Sequence, residues 1–201
     1  MKKLLLMLFV SIAMIANGQN FKLASGSLAA LKDQTEVNVE LNFDNVLMMK
    51  ENITEAQYLE NRKNDLLANP KRGEAGWKKW SGEWEKYKKE EYIQYFLKGL
   101  NKSYKKIKFD TGNSAKYTIV FDTKWVFPGW HAGLVAMTAE MSGTIKLVET
   151  SNPSNVLAVI ELEKFDKFVK NKEIVMEYGR IAAAYESAAK YVVKEMKKSF
   201  R

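Results

Sequence analysis

Three consecutive runs in the second half of the chain alternate apolar and polar side chains with a period of two. They cover residues 116–127, 134–149 and 155–163, and in the first run Phe121, Thr123 and Trp125 share the apolar face. Such alternation is typical of β-strands with one buried face. The breaks between the runs contain Pro128-Gly129 and a Ser-Asn-Pro-Ser-Asn segment, and these residues favour turns. The pattern predicts an antiparallel meander of three strands.

A fourth strand and three helices are predicted outside the meander. Residues 35–44 alternate in the same way. Thr54 and Gln57 have the spacing of a capping box, and the helix that they begin should end before Pro70. Apolar side chains recur at helical spacing in two further segments. The predicted fold is a two-layer α+β sandwich, with a mainly antiparallel sheet of about four strands (35–44, 116–127, 134–149, 155–163) covered by long helices (54–68, 77–106, 173–199).

The N-terminus has the three parts of a secretory signal peptide. Lys2 and Lys3 precede an apolar run of 13 residues, which is too short to span a bilayer, and Ala-Asn-Gly follows the run. We therefore expect residues 1–18 to be a signal peptide that is cleaved after Gly18. Residues 19–201 are then expected to be a single α+β domain, exported to the periplasm or beyond, with no transmembrane segment after cleavage.

The counts of cysteine and histidine limit the chemistry that the chain can perform. The sequence contains no cysteine, so we expect an exported domain that is held together by its core and not by disulfides. His131 is the single histidine, and cysteine-based or histidine-rich metal sites are therefore excluded. We expect no cofactor and no metal.

The positive charge of the chain is concentrated in one segment. The formal net charge is +8, and residues 62–108 alone hold 14 Lys or Arg against 6 Asp or Glu. Within this segment, tryptophans at helical spacing form a stripe beside lysines. The stripe is either a surface for anionic lipid or polysaccharide, or a core stripe next to a solvated basic face. The candidate binding residues here are Trp77, Trp80, Trp84, Lys78, Lys79 and Lys88.

Three further residues, His131, Glu161 and Glu163, carry side chains that could take part in chemistry. His131 lies beside Trp130 in a predicted loop, and this pair is a further candidate for binding. Glu161 and Glu163 lie two residues apart on one strand, a spacing that a glycosidase could use for paired carboxylates. Charged side chains on the solvent face of a strand are ordinary, however, and no partner for a general base is visible. We expect no catalytic residue.

Several short segments give the chain a resemblance to a group of exported proteins. The segments are Gly26-Ser27-Leu28, Val37–Leu41, Tyr117–Trp125, Pro128-Gly129 and Val148–Pro153. Together they resemble exported proteins of Bacteroidetes-type bacteria whose function is unassigned. The resemblance covers most of the chain after residue 18, and it implies no site residues.

The sequence leaves three functional hypotheses. The first is a non-enzymatic exported domain with a binding or structural role in the cell envelope, whose partner is an unidentified envelope component or protein. The second is a glycan-active enzyme that uses Glu161, Glu163 or His131. The third is a binder of anionic lipid or polysaccharide through the basic aromatic helix, for which binding should weaken steeply with salt. Export argues against nucleic acid as a partner, and the sequence does not define the oligomeric state.

Overall fold

A computed structural model describes residues 20–112, 114–166 and 174–201, so the predicted signal peptide and residue 173 lie outside the described residues. The strands are β1 (Phe21–Gly26), β2 (Glu36–Asn42), β3 (Leu47–Met48), β4 (Ile53–Thr54), β5 (Lys108–Asp110), β6 (Tyr117–Phe127), β7 (Trp130–Ala132), β8 (Val135–Met137), β9 (Glu140–Glu149) and β10 (Asn152–Phe165). The α-helices are α1 (Glu55–Leu67), α2 (Gly73–Lys86), α3 (Tyr92–Ser103) and α4 (Glu177–Ser199), and a π-helical turn (Tyr87–Glu91) joins α2 to α3.

Eight of the strands form one mixed sheet. Its order is β1-β10-β9-β6-β2-β5, and β3 and β4 join it beside β6. The pairs β1–β10, β10–β9 and β9–β6 are antiparallel, whereas β2–β5, β2–β6 and β3–β6 are parallel. Strands β7 and β8 form a separate two-stranded sheet. The predicted two-layer sandwich with about four mainly antiparallel strands is therefore wrong, although the chain does combine helices and strands as an α+β protein.

The reasons for this error lie in strand length and in the connections between strands. β3, β4, β5, β7 and β8 contain only two or three residues each, too few for a period of two to be visible. The helices α1, α2 and α3 lie between β2 and β6, and such a long crossover allows two strands to pair in parallel. The predicted strand 134–149 is interrupted, and its two parts, β8 and β9, belong to different sheets.

Strands β6, β9 and β10 pair in the order that the meander predicted, and their apolar face packs against helices. Phe121 of β6 contacts Phe96 of α3 and Tyr185 of α4, with ring centroids 5.3 Å and 5.1 Å apart. The hydroxyl groups of Thr123 and Tyr185 are hydrogen-bonded at 2.6 Å. None of the helices in the described ranges combines the length and the apolar character needed to cross a membrane.

A β-bulge in β6 reverses the predicted orientation of Trp125. Thr123 lies opposite Gly143 and Trp125 lies opposite Ser142, so Lys124 is an extra residue in β6. An extra residue resets the alternation of side chains between the two faces. Trp125 therefore shares the polar face of the sheet with Ser142, and the prediction that it lies on the apolar face is wrong.

The predicted helix 77–106 is divided by the π-helical turn. Buried Trp84 and Tyr92 lie on either side of this turn, and Phe96 and Leu100 continue the buried stripe in steps of four. A step of four residues is longer than one α-helical turn, so the stripe moves by about 40° around the helix axis at each step. A π-helical turn contains more residues than an α-helical turn, so each residue rotates the stripe less and part of this drift is removed. One buried stripe can therefore continue from α2 into α3.

Candidate functional site

The tryptophan stripe of α2 belongs largely to the core. Trp80 and Trp84 are buried, while Trp77 is half-buried and stacks on Trp80 with ring centroids 5.9 Å apart. The indole N–H of Trp84 donates to Glu55 at 2.8 Å, and that of Trp80 donates to Glu177 at 3.3 Å. Their ring faces are therefore covered by protein, as expected for a scaffold helix.

The candidate lysines beside this stripe divide into two kinds. Lys78 and Lys79 are exposed to solvent. Lys88 is half-buried and forms an ion pair with Glu55 at 2.8 Å, so the same carboxylate holds Lys88 and Trp84. Since two tryptophans face inward, a surface for anionic polymers at this helix would depend mainly on Lys78 and Lys79. That use of the helix stays a prediction.

The residues considered for catalysis lie in different surroundings. Glu161 forms an exposed ion pair with Lys22 at 3.0 Å. Glu163 lines a groove that includes neither Glu161 nor His131. His131 is half-buried and belongs to β7 of the small sheet. The structure therefore does not gather the three residues around one groove, and the hypothesis of a glycan-active enzyme stays a prediction.

Trp130 and His131 belong to a short hairpin beside the main sheet, formed by residues 130–137. In this β7–β8 hairpin, Trp130 pairs with Met137 and His131 pairs with Ala136. Two residues, Gly133 and Leu134, connect the strands, and Gly133 has a φ of +61°. Glycine adopts this conformation at little cost, and two-residue hairpin turns require it. The turn thus places Leu134 at the tip of the hairpin.

The tip of the β7–β8 hairpin exposes apolar side chains. Leu134 is 97% exposed, Val135 is 59% exposed and Trp130 is 44% exposed. Of the five tryptophans, all of which lie in the described residues, Trp130 alone is exposed; the others are buried or half-buried. Scattered single apolar residues on a surface are ordinary, whereas a group of them within one hairpin is a candidate for an interaction site.

Arg180 of α4 anchors the base of the hairpin. Its guanidinium donates hydrogen bonds to the carbonyl oxygens of Pro128 and Gly129 at 2.8 Å and 3.1 Å, and also to the carbonyl oxygen of Val175. Burial lowers the pKa of Arg180 from its ordinary value, and the nearby Glu177 carboxylate opposes this shift. These bonds bring Val175, which is 54% exposed, beside the hairpin base.

Sequence reasoning identified Trp130 and His131 but missed Leu134, Val135 and Arg180. A signal was present in the composition: residues 128–139 contain no Asp, Glu, Lys or Arg, in a chain of which 28% of residues are charged. The sequence pattern of this segment predicts a turn followed by the start of a long strand. Because uncharged residues are common in strands, the absence of charge in this segment did not distinguish it from an ordinary strand.

Comparisons with known proteins assign no family to the chain. No protein-family model matches the chain, and no curated protein matches it. Among solved structures, it is similar to a PelC dodecamer from Paraburkholderia phytofirmans, with 11% identity over 88% of this chain and 95% of that chain. The TM-score of 0.37 is too low for conclusions about fold, function or assembly. The resemblance to exported proteins of Bacteroidetes-type bacteria stays a prediction.

Proposed function

We propose that the protein is a non-enzymatic exported domain of the cell envelope, which binds reversibly to a membrane surface through its β7–β8 hairpin. The observation that carries this proposal is the exposure of Leu134, Val135 and Trp130 in one short hairpin. Insertion of this tip between lipid headgroups would remove these apolar side chains from water. The body of the domain would stay outside the bilayer and could support or position another envelope component.

The expected affinity is modest. Complete burial of a Leu or Val side chain contributes about 1.5–3 kcal/mol. Since Trp130 is already partly covered, the tip would contribute roughly 5 kcal/mol, which is comparable to the weak, reversible binding of a single acyl chain. The net positive charge of the chain adds attraction to an anionic membrane surface. Binding should therefore be reversible and stronger on anionic membranes.

Two features favour lipid over a protein as the partner of the hairpin. The hairpin is only eight residues long, whereas a stable protein interface uses about 20–30 residues on each side. Residues 128–139 also lack Asp, Glu, Lys and Arg, so the hairpin offers no acidic or permanently basic side chain for pairing with a partner. An apolar tip with a tryptophan suits the interface between headgroups and acyl chains.

Co-sedimentation with lipid vesicles tests this proposal. We expect retention on vesicles of phosphatidylethanolamine and phosphatidylglycerol, and weaker retention on phosphatidylcholine alone. Leu134→Ser should reduce the partition coefficient at least tenfold, since about 1.4 kcal/mol corresponds to a factor of ten. Val156→Ser is the matched control, because Val156 is 43% exposed but lies on β10 of the main sheet.

Two results would contradict lipid binding. One is the absence of the wild-type protein from the pellet with both kinds of vesicle. The other is an equal effect of Leu134→Ser and Val156→Ser, which would mean that the hairpin tip has no special role. A change of oligomeric state in Leu134→Ser, measured by analytical ultracentrifugation, would instead assign the tip to a protein interface.

Export can be tested separately. If the signal peptide is removed as predicted, the mass of the protein isolated from the periplasm or the medium corresponds to a chain that begins at Gln19. Replacing Leu5 and Leu8 with Arg should keep the protein in the cytoplasm with its N-terminus intact, because the apolar core of a signal peptide tolerates no charge. Export of this variant would contradict the prediction.

A further inference from the structure

A groove on the polar face of the main sheet forms a second candidate site, independent of the β7–β8 hairpin. Its volume is about 540 Å³. The turn after β3 and the strands β6, β9 and β10 all contribute side chains to it, so the site depends on the assembled fold. Its lining residues are Leu47, Lys50, Asn52, Lys124, Trp125, Glu140, Ser142, Glu163 and Lys164. We name it the Trp125 groove.

The Trp125 ring is held in a fixed orientation within this groove. Its indole N–H donates to the carbonyl oxygen of Met49 at 2.8 Å, and the backbone N–H of Met49 donates to the carbonyl oxygen of Val126 at 2.9 Å. The bulge at Lys124 turns the ring to the polar face. The groove therefore contains a half-buried aromatic ring that is positioned before any ligand binds, which reduces the entropic cost of binding.

Several charged groups around the Trp125 groove form no ion pair within the part of the chain that the structure describes. Lys124 forms an ion pair with Asp122 at 2.6 Å. In contrast, Lys50, Lys164, Glu140 and Glu163 form no ion pair with another described residue. Two ammonium groups and two carboxylates without an ion-pair partner among these residues therefore surround the Trp125 ring, and the Lys50 ammonium also lies 5.3 Å from the centroid of the Phe127 ring. Their charges balance, so the groove offers both hydrogen-bond donors and acceptors without a strong preference for one sign of charge.

The backbone of the groove is unusual at two of its lining residues. Asn52 has a φ of +55° and Lys164 has a φ of +43°, both in the left-handed region that favours glycine. Met49, which fixes Trp125, has a φ of +64°. The bulge that contains Lys164 is held by a hydrogen bond from its N–H to Ser142 Oγ at 2.8 Å. Strained residues of this kind concentrate at ligand sites, where they aim particular groups.

We infer that the Trp125 groove binds a neutral saccharide. The apolar C–H face of a sugar ring can lie on the indole, as apolar groups do on aromatic faces. Sugar hydroxyls both donate and accept hydrogen bonds, so they match a rim that carries ammonium groups, carboxylates, an amide and a hydroxyl. A purely anionic ligand would meet Glu140 and Glu163, and a purely cationic one would meet Lys50 and Lys164. A polar ligand without net charge avoids both conflicts.

The inference is tested by titrating the ¹⁵N-labelled protein with maltotetraose, cellotetraose and chitotetraose. The indole N–H resonance of Trp125 is assigned from its loss in Trp125→Phe. We expect at least one saccharide to shift this resonance at millimolar concentration while those of buried Trp80 and Trp84 stay unchanged. Glu163→Gln should weaken the affinity about tenfold, the effect of losing one charge-assisted hydrogen bond.

A matched control lies two residues away on the same strand. Glu161 is outside the groove and pairs with Lys22, so Glu161→Gln should leave the affinity unchanged. The inference is overturned if none of the three saccharides shifts the Trp125 resonance. It is equally overturned if Glu163→Gln and Glu161→Gln have the same effect. Neither variant removes a buried contact, so both should fold.

Discussion

Gly99 of α3 lies directly against Ala189 of α4. A Cβ at residue 99 would be 2.6 Å from the Cβ of Ala189 and 2.5 Å from the carbonyl oxygen of Glu186. Helix α4 therefore lies closer to α3 than any side chain at residue 99 would allow. Because α4 also carries Tyr185 and Arg180, this contact places both the core hydroxyl and the anchor of the hairpin.

Two glycine substitutions should have opposite effects on stability. Gly99→Ala should lower the free energy of unfolding by about 1–3 kcal/mol, because the two helices would have to separate. Gly82→Ala is the control: nothing lies within 4 Å of the added Cβ, and alanine favours a helix by about 0.5–1 kcal/mol. Urea unfolding followed by circular dichroism measures both. Equal effects of the two substitutions would contradict the close packing of α3 and α4.

Two buried tyrosines should respond differently to loss of the hydroxyl. The hydroxyl of Tyr92 is buried without a hydrogen-bond partner among the described residues, so Tyr92→Phe should stabilise the fold by about 1 kcal/mol. The hydroxyl of Tyr185 bonds to that of Thr123. Tyr185→Phe should therefore destabilise the fold by about 1–3 kcal/mol. Chemical denaturation distinguishes the two, and a stabilising Tyr185→Phe would contradict the assigned bond.

Buried tyrosines should also make the fold sensitive to alkaline pH. Burial raises the pKa of Tyr58, Tyr92 and Tyr185 well above the usual value, and raises that of Tyr87 to about 12. Above a pH of about 10, the unfolded chain releases protons that the folded chain retains, so stability falls as pH rises. Each retained proton contributes a slope of up to about 1.4 kcal/mol per pH unit.

Urea unfolding at several values between about pH 9 and pH 12 measures this slope. Tyr92→Phe should reduce it, because one of the retained protons is no longer present in either state. In parallel, tyrosinate absorbance should show that Tyr58, Tyr92 and Tyr185 ionise only when the protein unfolds. Stability that stays constant over this range would contradict the burial of these hydroxyl groups.

Arg180→Lys should loosen the β7–β8 hairpin. A lysine cannot reproduce the fork of a guanidinium that bonds to the carbonyl oxygens of Pro128, Gly129 and Val175. We expect faster chymotrypsin cleavage at Trp130 or Leu134 and a loss of about 2–3 kcal/mol in stability, typical of breaking buried bonds to a charged group. Lys78→Gln is the control, and the same cleavage rate in both variants would argue against the anchor.

The sequence predicted well those elements in which one residue determines the conformation or in which a pattern is long. The capping box of Thr54 and Gln57 is present, with both of its reciprocal hydrogen bonds. The meander was visible because β6, β9 and β10 each have at least ten residues. The parallel pairing of β2 was hidden, since it depends on a long crossover and not on any local pattern.

The candidate sites were harder to predict for the same reason. The Trp125 groove depends on a bulge at Lys124. This bulge cannot be recognised in the sequence, because Trp125 and Phe127 continue the period-two pattern of apolar residues. The tryptophans of α2 appeared suited to binding because a helical stripe has the same spacing in a core as on a surface. Burial decided between these interpretations, and it depends on contacts with the distant Glu55 and Glu177.

Quenching of tryptophan fluorescence by brominated lipids tests the proposed membrane contact most directly. Bromine on the upper part of the acyl chain should quench Trp130 when the hairpin inserts, because quenching requires close approach. We predict strong quenching in the wild type and its loss in Trp130→Phe, whereas Trp77→Phe should keep it. Quenching that persists without Trp130, or that is absent although the protein binds the vesicles, would contradict insertion of the β7–β8 hairpin.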